Sequence, residues 1–177
     1  MNTLSHLLQC IAAVAKVNTP IFSVSDIALM LRTNNKTAVS VLLHRACKTG
    51  LLEKVSNGFY ISTLNPPDAT LAVYDVAQKM RSNYITYVSL ESQLSYTGHI
   101  SQIPIDTLTM MTTGRSGKFR TTYGTIEFVH TRKKLDVIAK DLYFDAQCKV
   151  WRAMPIRAYN DLKSVNRNLE MVTDDIC

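Results

Sequence analysis

The feature that most restricts the fold of this chain is a hairpin signal that follows directly after helical patterns. Residues 51–55 and 59–61 are short runs that favour strands, and Ser56-Asn57-Gly58 separates them. Asn-Gly is the strongest short signal for a tight β-hairpin, because both residues tolerate the positive φ that the turn requires. The sequence therefore predicts a hairpin immediately after a helical segment.

Three helical patterns precede this hairpin. Apolar residues recur at helical spacing over residues 4–17, and a second helix is predicted to begin after Ser23 or Ser25, either of which can cap it. A third helix is predicted over residues 36–49, and Gly50 supplies the left-handed residue that ends it. Two short helices joined by a tight polar turn and followed by a hairpin are typical of a winged helix-turn-helix.

The third predicted helix carries small polar and basic groups on its outward side, and no acid occurs between Asp26 and Glu53. Asn and Arg suit adenine and guanine, whereas Lys, Ser and Thr mostly contact phosphates. A net charge of +6 and a pI of about 9.2 agree with a polyanionic partner. We therefore predict that this helix enters the major groove of double-stranded DNA. The predicted contacts are Asn35, Lys36, Thr37, Ser40, His44, Arg45, Lys48, Lys54 and Asn57.

The alternative for this region is a winged helix that binds only protein. In that case the basic helix face is a solvated surface without a nucleic-acid partner.

The chain is predicted to divide into residues 1–64 and residues 65–177. The boundary lies in a linker that contains Asn65-Pro66-Pro67, which is incompatible with a helix interior or a central strand. The second part mixes helical and strand patterns, which indicates a small α+β domain behind the winged helix.

Several elements of the second domain are predicted from local signals. Ser89 is expected to cap a helix, and Pro155 is expected to open the final helix. Strands at 106–112 and 125–131 are expected to pair antiparallel across a loop at 113–122. A second hairpin is predicted at 141–146 and 149–153, and the last dozen residues are expected to fray.

Three longer segments resemble a known family. Residues 87–104 read YVSLESQLSYTGHISQIP, residues 109–130 read TMMTTGRSGKFRTTYGTIEFVH, and residues 153–161 read AMPIRAYND. They are similar to the characteristic stretches of AbiEi-type antitoxins, although Tyr159-Asn160 replaces the usual apolar pair of the last motif. The resemblance implies a repressor that binds inverted repeats in its own operator. It also implies that the protein counteracts a nucleotidyltransferase toxin in a type IV toxin–antitoxin pair.

A competing interpretation concerns residues 114–120, where Gly-Lys suggests a nucleotide- or RNA-binding enzyme. The Walker A spacing is absent, because position 112 is Thr and position 119 is Phe. We expect Arg115, Lys118 and Arg120 instead to contact a nucleic-acid backbone or to serve the antitoxin function. The alternative is a solvated turn whose surface charges have no ligand.

Catalysis and cofactors find no support in the sequence. Glu91 and Glu127 are better explained as a first-turn charge and an outward strand position than as an acid–base pair. The four cysteines form no Cys-x-x-Cys pair, the histidines lack ligand spacing, and no apolar stretch is long enough to span a bilayer. We expect a cytoplasmic protein with reduced thiols, without a metal or cofactor, that acts as a homodimer or a cooperative pair on DNA.

Overall fold

A computed structural model describes residues 3–15, 21–100, 106–173 and 176 of the chain. The chain divides into two units, Met1–Met80 and Arg81–Cys177. A three-stranded sheet and a six-stranded mixed sheet accompany the helices, so the predicted α+β class is confirmed.

The first unit has the predicted winged-helix order. Its elements are α1 (Thr3–Ala15), β1 (Ile21–Ser23), α2 (Val24–Met30), α3 (Lys36–Lys48), β2 (Leu52–Ser56), β3 (Phe59–Ser62) and α4 (Ala72–Met80). The strands form an antiparallel sheet in the order β1-β3-β2, and β2 and β3 are the predicted hairpin. Gly58 has a φ of 81°, as the tight turn requires.

The start of α2 is fixed by Ser23 rather than Ser25. The Asp26 amide donates to Ser23 Oγ at 3.1 Å, and the Ser23 amide donates to Asp26 Oδ2 at 2.6 Å, which completes a capping box. Burial alone would raise the pKa of Asp26, but hydrogen bonds from Lys79 and Ser23 outweigh it and hold the pKa below its usual value. The carboxylate therefore stays charged and keeps accepting from the helix.

Apolar side chains from the helices and the sheet form the core of the first unit. The buried members are Leu7, Ile11, Phe22, Ile27, Val39, Leu42, Leu43, Ala46 and Leu52. Four of them belong to α3 and lie on one side of it, so their burial sets the rotation of this helix about its own axis.

The first unit extends beyond the predicted boundary between residues 64 and 65. Helix α4 packs against β1, and Lys79 Nζ forms an ion pair with Asp26 Oδ2 at 2.8 Å. The proline-containing segment at 65–67 is thus a connection inside this unit, and the division falls after Met80.

The second unit is built on a mixed sheet in the order β6-β7-β5-β4-β9-β8. Its elements are β4 (Thr86–Val88), α5 (Leu90–Tyr96), β5 (Thr107–Thr112), β6 (Gly117–Thr121), β7 (Gly124–His130), α6 (Leu135–Ile138), β8 (Leu142–Asp145), β9 (Val150–Ala153) and α7 (Pro155–Val165), with short 3₁₀ helices at Ala139–Asp141 and Leu169–Met171. The β8–β9 hairpin and the start of α7 at Pro155 confirm two predictions.

The predicted antiparallel pairing of β5 and β7 is wrong. The two strands are parallel, with Thr107 opposite Thr125 and Thr112 opposite His130. The cause is β6, which occupies part of the segment predicted as a loop and pairs antiparallel with β7. The chain reverses twice between β5 and β7, so β7 runs in the same direction as β5.

The prediction of a frayed C-terminus is also wrong for residues 166–173. Val172 forms a β-bridge with Ile100, and Leu169 and Met171 pack against the core of the second unit. The polar composition of this segment does not prevent it from packing, because Arg167 and Asn168 bind partly or fully buried acids.

The capping box predicts a measurable loss of stability. We expect Ser23→Ala to lower the free energy of unfolding by about 1 kcal/mol, because the Asp26 amide loses its acceptor. Urea unfolding of the full chain, followed by far-ultraviolet circular dichroism, measures the change. Ser25→Ala is the matched control, since Ser25 is exposed within α2. Equal effects of the two substitutions would contradict the assignment of the cap.

Candidate nucleic-acid interface

The outward face of α3 follows from its buried face. Val39, Leu42, Leu43 and Ala46 are buried, and at about 100° per residue the positions most nearly opposite them lie three or four apart. These positions are Thr37, Val41, His44 and Lys48, all exposed. Lys36, Ser40 and Arg45 are exposed on the flanks. We call these seven residues the α3 face.

The cations of the α3 face are not neutralised by the fold. Among the described residues, Lys36, Arg45 and Lys48 form no ion pair. The sequence contains no acid from residue 27 to residue 52, so the helix itself offers none. A positive face of this kind suits an anionic partner.

Two predicted contact residues also have local structural tasks. Asn35 is the N-cap of α3, and its Oδ1 accepts a hydrogen bond from the Ala38 amide at 3.0 Å. Ser40 Oγ donates to the Lys36 carbonyl at 2.9 Å within the helix. The assignment of Asn35 as an adenine reader therefore loses strength, because paired contact with adenine uses this same side-chain oxygen.

The β2–β3 hairpin, which we call the wing, carries the other two predicted contacts. Lys54 and Asn57 are exposed on it. The Val24 amide donates to the Gly58 carbonyl at 3.2 Å, which ties the tip of the wing to the first residue of α2. The structure thus brings the wing turn and the start of the helix-turn-helix together.

The three cations predicted on the second unit do not share a loop. Arg115 is exposed in the turn after β5, whereas Lys118 and Arg120 are exposed on β6. Strand β6 lies at one edge of the sheet, where lysine and arginine commonly discourage pairing with other chains. Lys118 lies opposite Glu127, whose pKa is lowered mainly by hydrogen bonds from Arg167 and to a smaller extent by the charge of Lys118. Protection of the sheet edge is therefore sufficient to explain the two cations on β6, and no bound ligand is needed to explain them.

Gly114 and Gly117, whose spacing near Lys118 suggests a phosphate-binding loop, pack tightly against aromatic rings. A Cβ at Gly114 would lie 2.9 Å from the Tyr84 ring, and a Cβ at Gly117 would lie 2.9 Å from the Phe119 ring. A side chain at either position would therefore force the adjacent aromatic ring to shift. Because residues 117–121 form a strand, they do not form the phosphate-binding loop that a nucleotide-binding enzyme would need.

A buried carboxylate joins two of the three segments that carry the family resemblance, residues 87–104 and 153–161. Asp161 is fully buried, and its Oδ2 accepts from Tyr87 Oη and from Ser89 Oγ, each at 2.9 Å. Lys133 Nζ forms an ion pair with Oδ1 at 3.1 Å. Burial, with the adjacent Asp161 charge, raises the pKa of Tyr87 far above its usual value, so this phenol stays a neutral donor.

This network also changes the role predicted for Ser89. Ser89 precedes α5 as expected, but its hydroxyl makes no capping hydrogen bond because it donates to Asp161. The next residue, Leu90, has a left-handed φ of 56° and is fully buried. Packing of Leu90 in the core holds this uncommon backbone conformation in place.

Glu91 and Glu127 are held by a common arginine. Arg167 Nε lies 2.7 Å from Glu91 Oε1, and its two terminal nitrogens lie 2.8 and 3.1 Å from the two oxygens of Glu127. Hydrogen bonds from Arg167 lower the pKa of Glu127. The arrangement explains both acids as ion-pair partners. No sequence pattern indicated Arg167, because it lies 76 residues from Glu91.

Arg152 is a further buried cation that no sequence pattern indicated. Its Nε lies 2.6 Å from Asp145 Oδ2, one terminal nitrogen donates to Gln93 at 3.3 Å, and its guanidinium lies 4.1 Å from the centre of the Tyr96 ring. The positive charge of Arg152 is therefore neutralised by contacts inside the second unit.

Metal and membrane sites are not found in the part of the chain that the structure describes. No group of three or more His, Cys, Asp or Glu residues is placed there to hold a metal ion. No described helix combines the length and apolarity needed to cross a bilayer.

Comparisons with known proteins yield a fold likeness. No protein-family model and no curated protein matches the sequence. The fold is similar to that in the crystal structure of RV2827C protein from Mycobacterium tuberculosis, with a TM-score of 0.54 and 11% sequence identity. The likeness covers 92% of this chain and 60% of that one, so this chain matches only part of the neighbour's length. At this identity the comparison shows the fold alone.

The Asp161 network predicts a strong effect of its removal. We expect Asp161→Ala to lower the free energy of unfolding by about 3 kcal/mol, since two buried hydroxyls each lose an acceptor at about 1–3 kcal/mol. Trp151, the only tryptophan of the chain, lies in the second unit, so its fluorescence during urea unfolding reports the change.

Two further variants test the origin of this loss. Asp161→Asn keeps one acceptor oxygen and should recover part of the stability. Asp136→Ala removes an exposed acid from α6 and should change stability by less than about 0.5 kcal/mol. A loss no larger for Asp161→Ala than for Asp136→Ala would contradict a structural role of the network.

Proposed function

We propose that this protein binds double-stranded DNA through the α3 face and the wing and represses transcription of its own operon. The observation that carries the proposal is the α3 face, where exposed cations have no acidic partner among the described residues. In a winged helix-turn-helix this is the helix that enters the major groove. A surface whose cations are left exposed and unneutralised by the fold suits the phosphate backbone of a duplex.

The proposed target is an operator with inverted repeats, bound by a homodimer or by two cooperating protomers. The resemblance to AbiEi-type antitoxins supplies this part of the proposal. Half-sites one helical turn apart, roughly 34 Å, would place two copies of α3 on the same side of the duplex. A repressor of this kind acts in the cytoplasm.

The charge of the α3 face is tested by removing two of its cations. We expect Arg45→Ala/Lys48→Ala to weaken operator binding at least about tenfold, because a guanine contact and a phosphate contact are lost. The slope of log affinity against log salt concentration should fall by up to about two units. Gel-shift titrations over a range of salt concentrations give both quantities.

The matched control is Arg132→Ala/Lys134→Ala, which removes the same charge from exposed positions in the second unit. A circular dichroism spectrum establishes that each variant is folded. Equal loss of binding in both variants would show only a general charge effect. Undiminished binding by the α3 variant would refute the proposed interface, and failure of the wild-type chain to bind any duplex would favour the protein-interaction module.

We further propose that the second unit, Arg81–Cys177, acts as an antitoxin against a nucleotidyltransferase toxin. The support is the similarity of residues 87–104, 109–130 and 153–161 to AbiEi-type antitoxins. These segments include Tyr87 and Asp161, which belong to a buried network, so the neutralising surface must involve other residues of the same unit.

Co-expression separates the two proposed activities. We expect the open reading frame next to this gene to encode the toxin, and we expect the chain to restore growth of cells that express it. Arg45→Ala/Lys48→Ala, expressed from an unrelated promoter, should still restore growth while failing to repress the native promoter. Persistent growth arrest with the folded wild-type chain would contradict the antitoxin role and leave the DNA-binding proposal standing.

A further inference from the structure

Val41 is an aliphatic side chain at the centre of the α3 face. It is 49% exposed, and it lies among the four positions most nearly opposite the buried side of the helix. Valine is a weaker helix former than alanine or most long polar residues, so local helix stability does not favour it at this position. Among the described residues, Val41 is not part of the apolar core of its own unit.

Three of the four neighbours of Val41 about one turn away on the helix are polar or basic, and the fourth, Ala38, presents only a methyl group. Thr37 lies one turn before it, and His44 and Arg45 lie about one turn after it, all exposed. An apolar partner for Val41 must therefore sit within a polar and anionic surface. The major groove of DNA has this character, because thymine presents a C5 methyl group there beside hydrogen-bonding edges.

We infer that Val41 determines sequence specificity by packing against the C5 methyl of a thymine. The inference rests on the proposed function, since it requires α3 to lie in the major groove. Side chains four apart on a helix are separated by about 5–6 Å, and successive base pairs are about 3.4 Å apart along the duplex. The thymine is therefore expected within two base pairs of a guanine that Arg45 contacts.

The test begins with duplexes that the full-length protein selects from a random pool. Unmethylated DNA is used, so thymine is the only base that carries this methyl group. Each thymine of the selected half-site is then replaced by deoxyuridine, which keeps the base pair and removes only the methyl. We expect wild-type affinity to fall about fourfold at one position per half-site, as burial of one methyl group predicts.

The Val41→Ala variant identifies the side chain that senses this methyl. It should bind the thymine duplex about fourfold more weakly than the wild type and should bind the thymine and deoxyuridine duplexes equally. Alanine favours helix more than valine, so the variant should fold at least as well as the wild type. Val137→Ala is the matched control, because Val137 is 50% exposed in the second unit, and it should retain the deoxyuridine penalty.

The outcomes separate the inference from the proposed function. Salt-dependent binding without a deoxyuridine penalty, or with the same penalty in Val41→Ala, would overturn the role of Val41 and leave the DNA-binding proposal intact. Absence of duplex binding by the folded wild-type chain would overturn both.

Discussion

Burial of one side of α3 is the constraint on which the candidate interface depends. Val39, Leu42, Leu43 and Ala46 lie in the core of the first unit, and this fixes the rotation of the helix. The outward direction of the other side chains follows from that packing. A different rotation would bury Val41 and Lys48 and expose the apolar side chains, at a cost of about 1.5–3 kcal/mol for each large one.

The two units use positive charge in different ways. In the second unit, Arg152, Arg167 and Lys133 form ion pairs with acids, and Arg152 is almost fully buried. These cations are part of the internal structure. On the α3 face, by contrast, the described residues supply no acid for the cations, so their charge is available to a partner.

Local signals in the sequence were sufficient for the first three helices and the β2–β3 hairpin of the first unit, but they did not indicate β1 or the place of α4 in this unit. Gly58 and Gly50 marked the hairpin turn and the end of α3, because both positions require a positive φ. The outward position of Val41 also follows from helical spacing, although only polar and basic residues were predicted as contacts. The domain boundary was harder to predict from the sequence, because the packing of α4 on β1 involves residues far apart in sequence.

The second unit was harder to predict because its organisation depends on distant partners. Strand β6 is short, begins with Gly117 and carries the exposed cations Lys118 and Arg120, and this composition resembles a loop. Missing this one strand reversed the predicted direction of β7. The bonds from Tyr87 and Ser89 to Asp161 span 74 and 72 residues, and no local pattern indicates such partners.

The positions of Arg45 and Lys48 combine an exposed positive charge with the stability of the helix that carries it. Both lie in the last turn of α3, where the aligned peptide dipoles leave a partial negative charge. Positive side chains at this end stabilise the helix, typically by about 0.3–1 kcal/mol each in exposed settings. A cluster of like charges would otherwise oppose folding, so here the backbone itself compensates for the repulsion among the exposed cations of the α3 face.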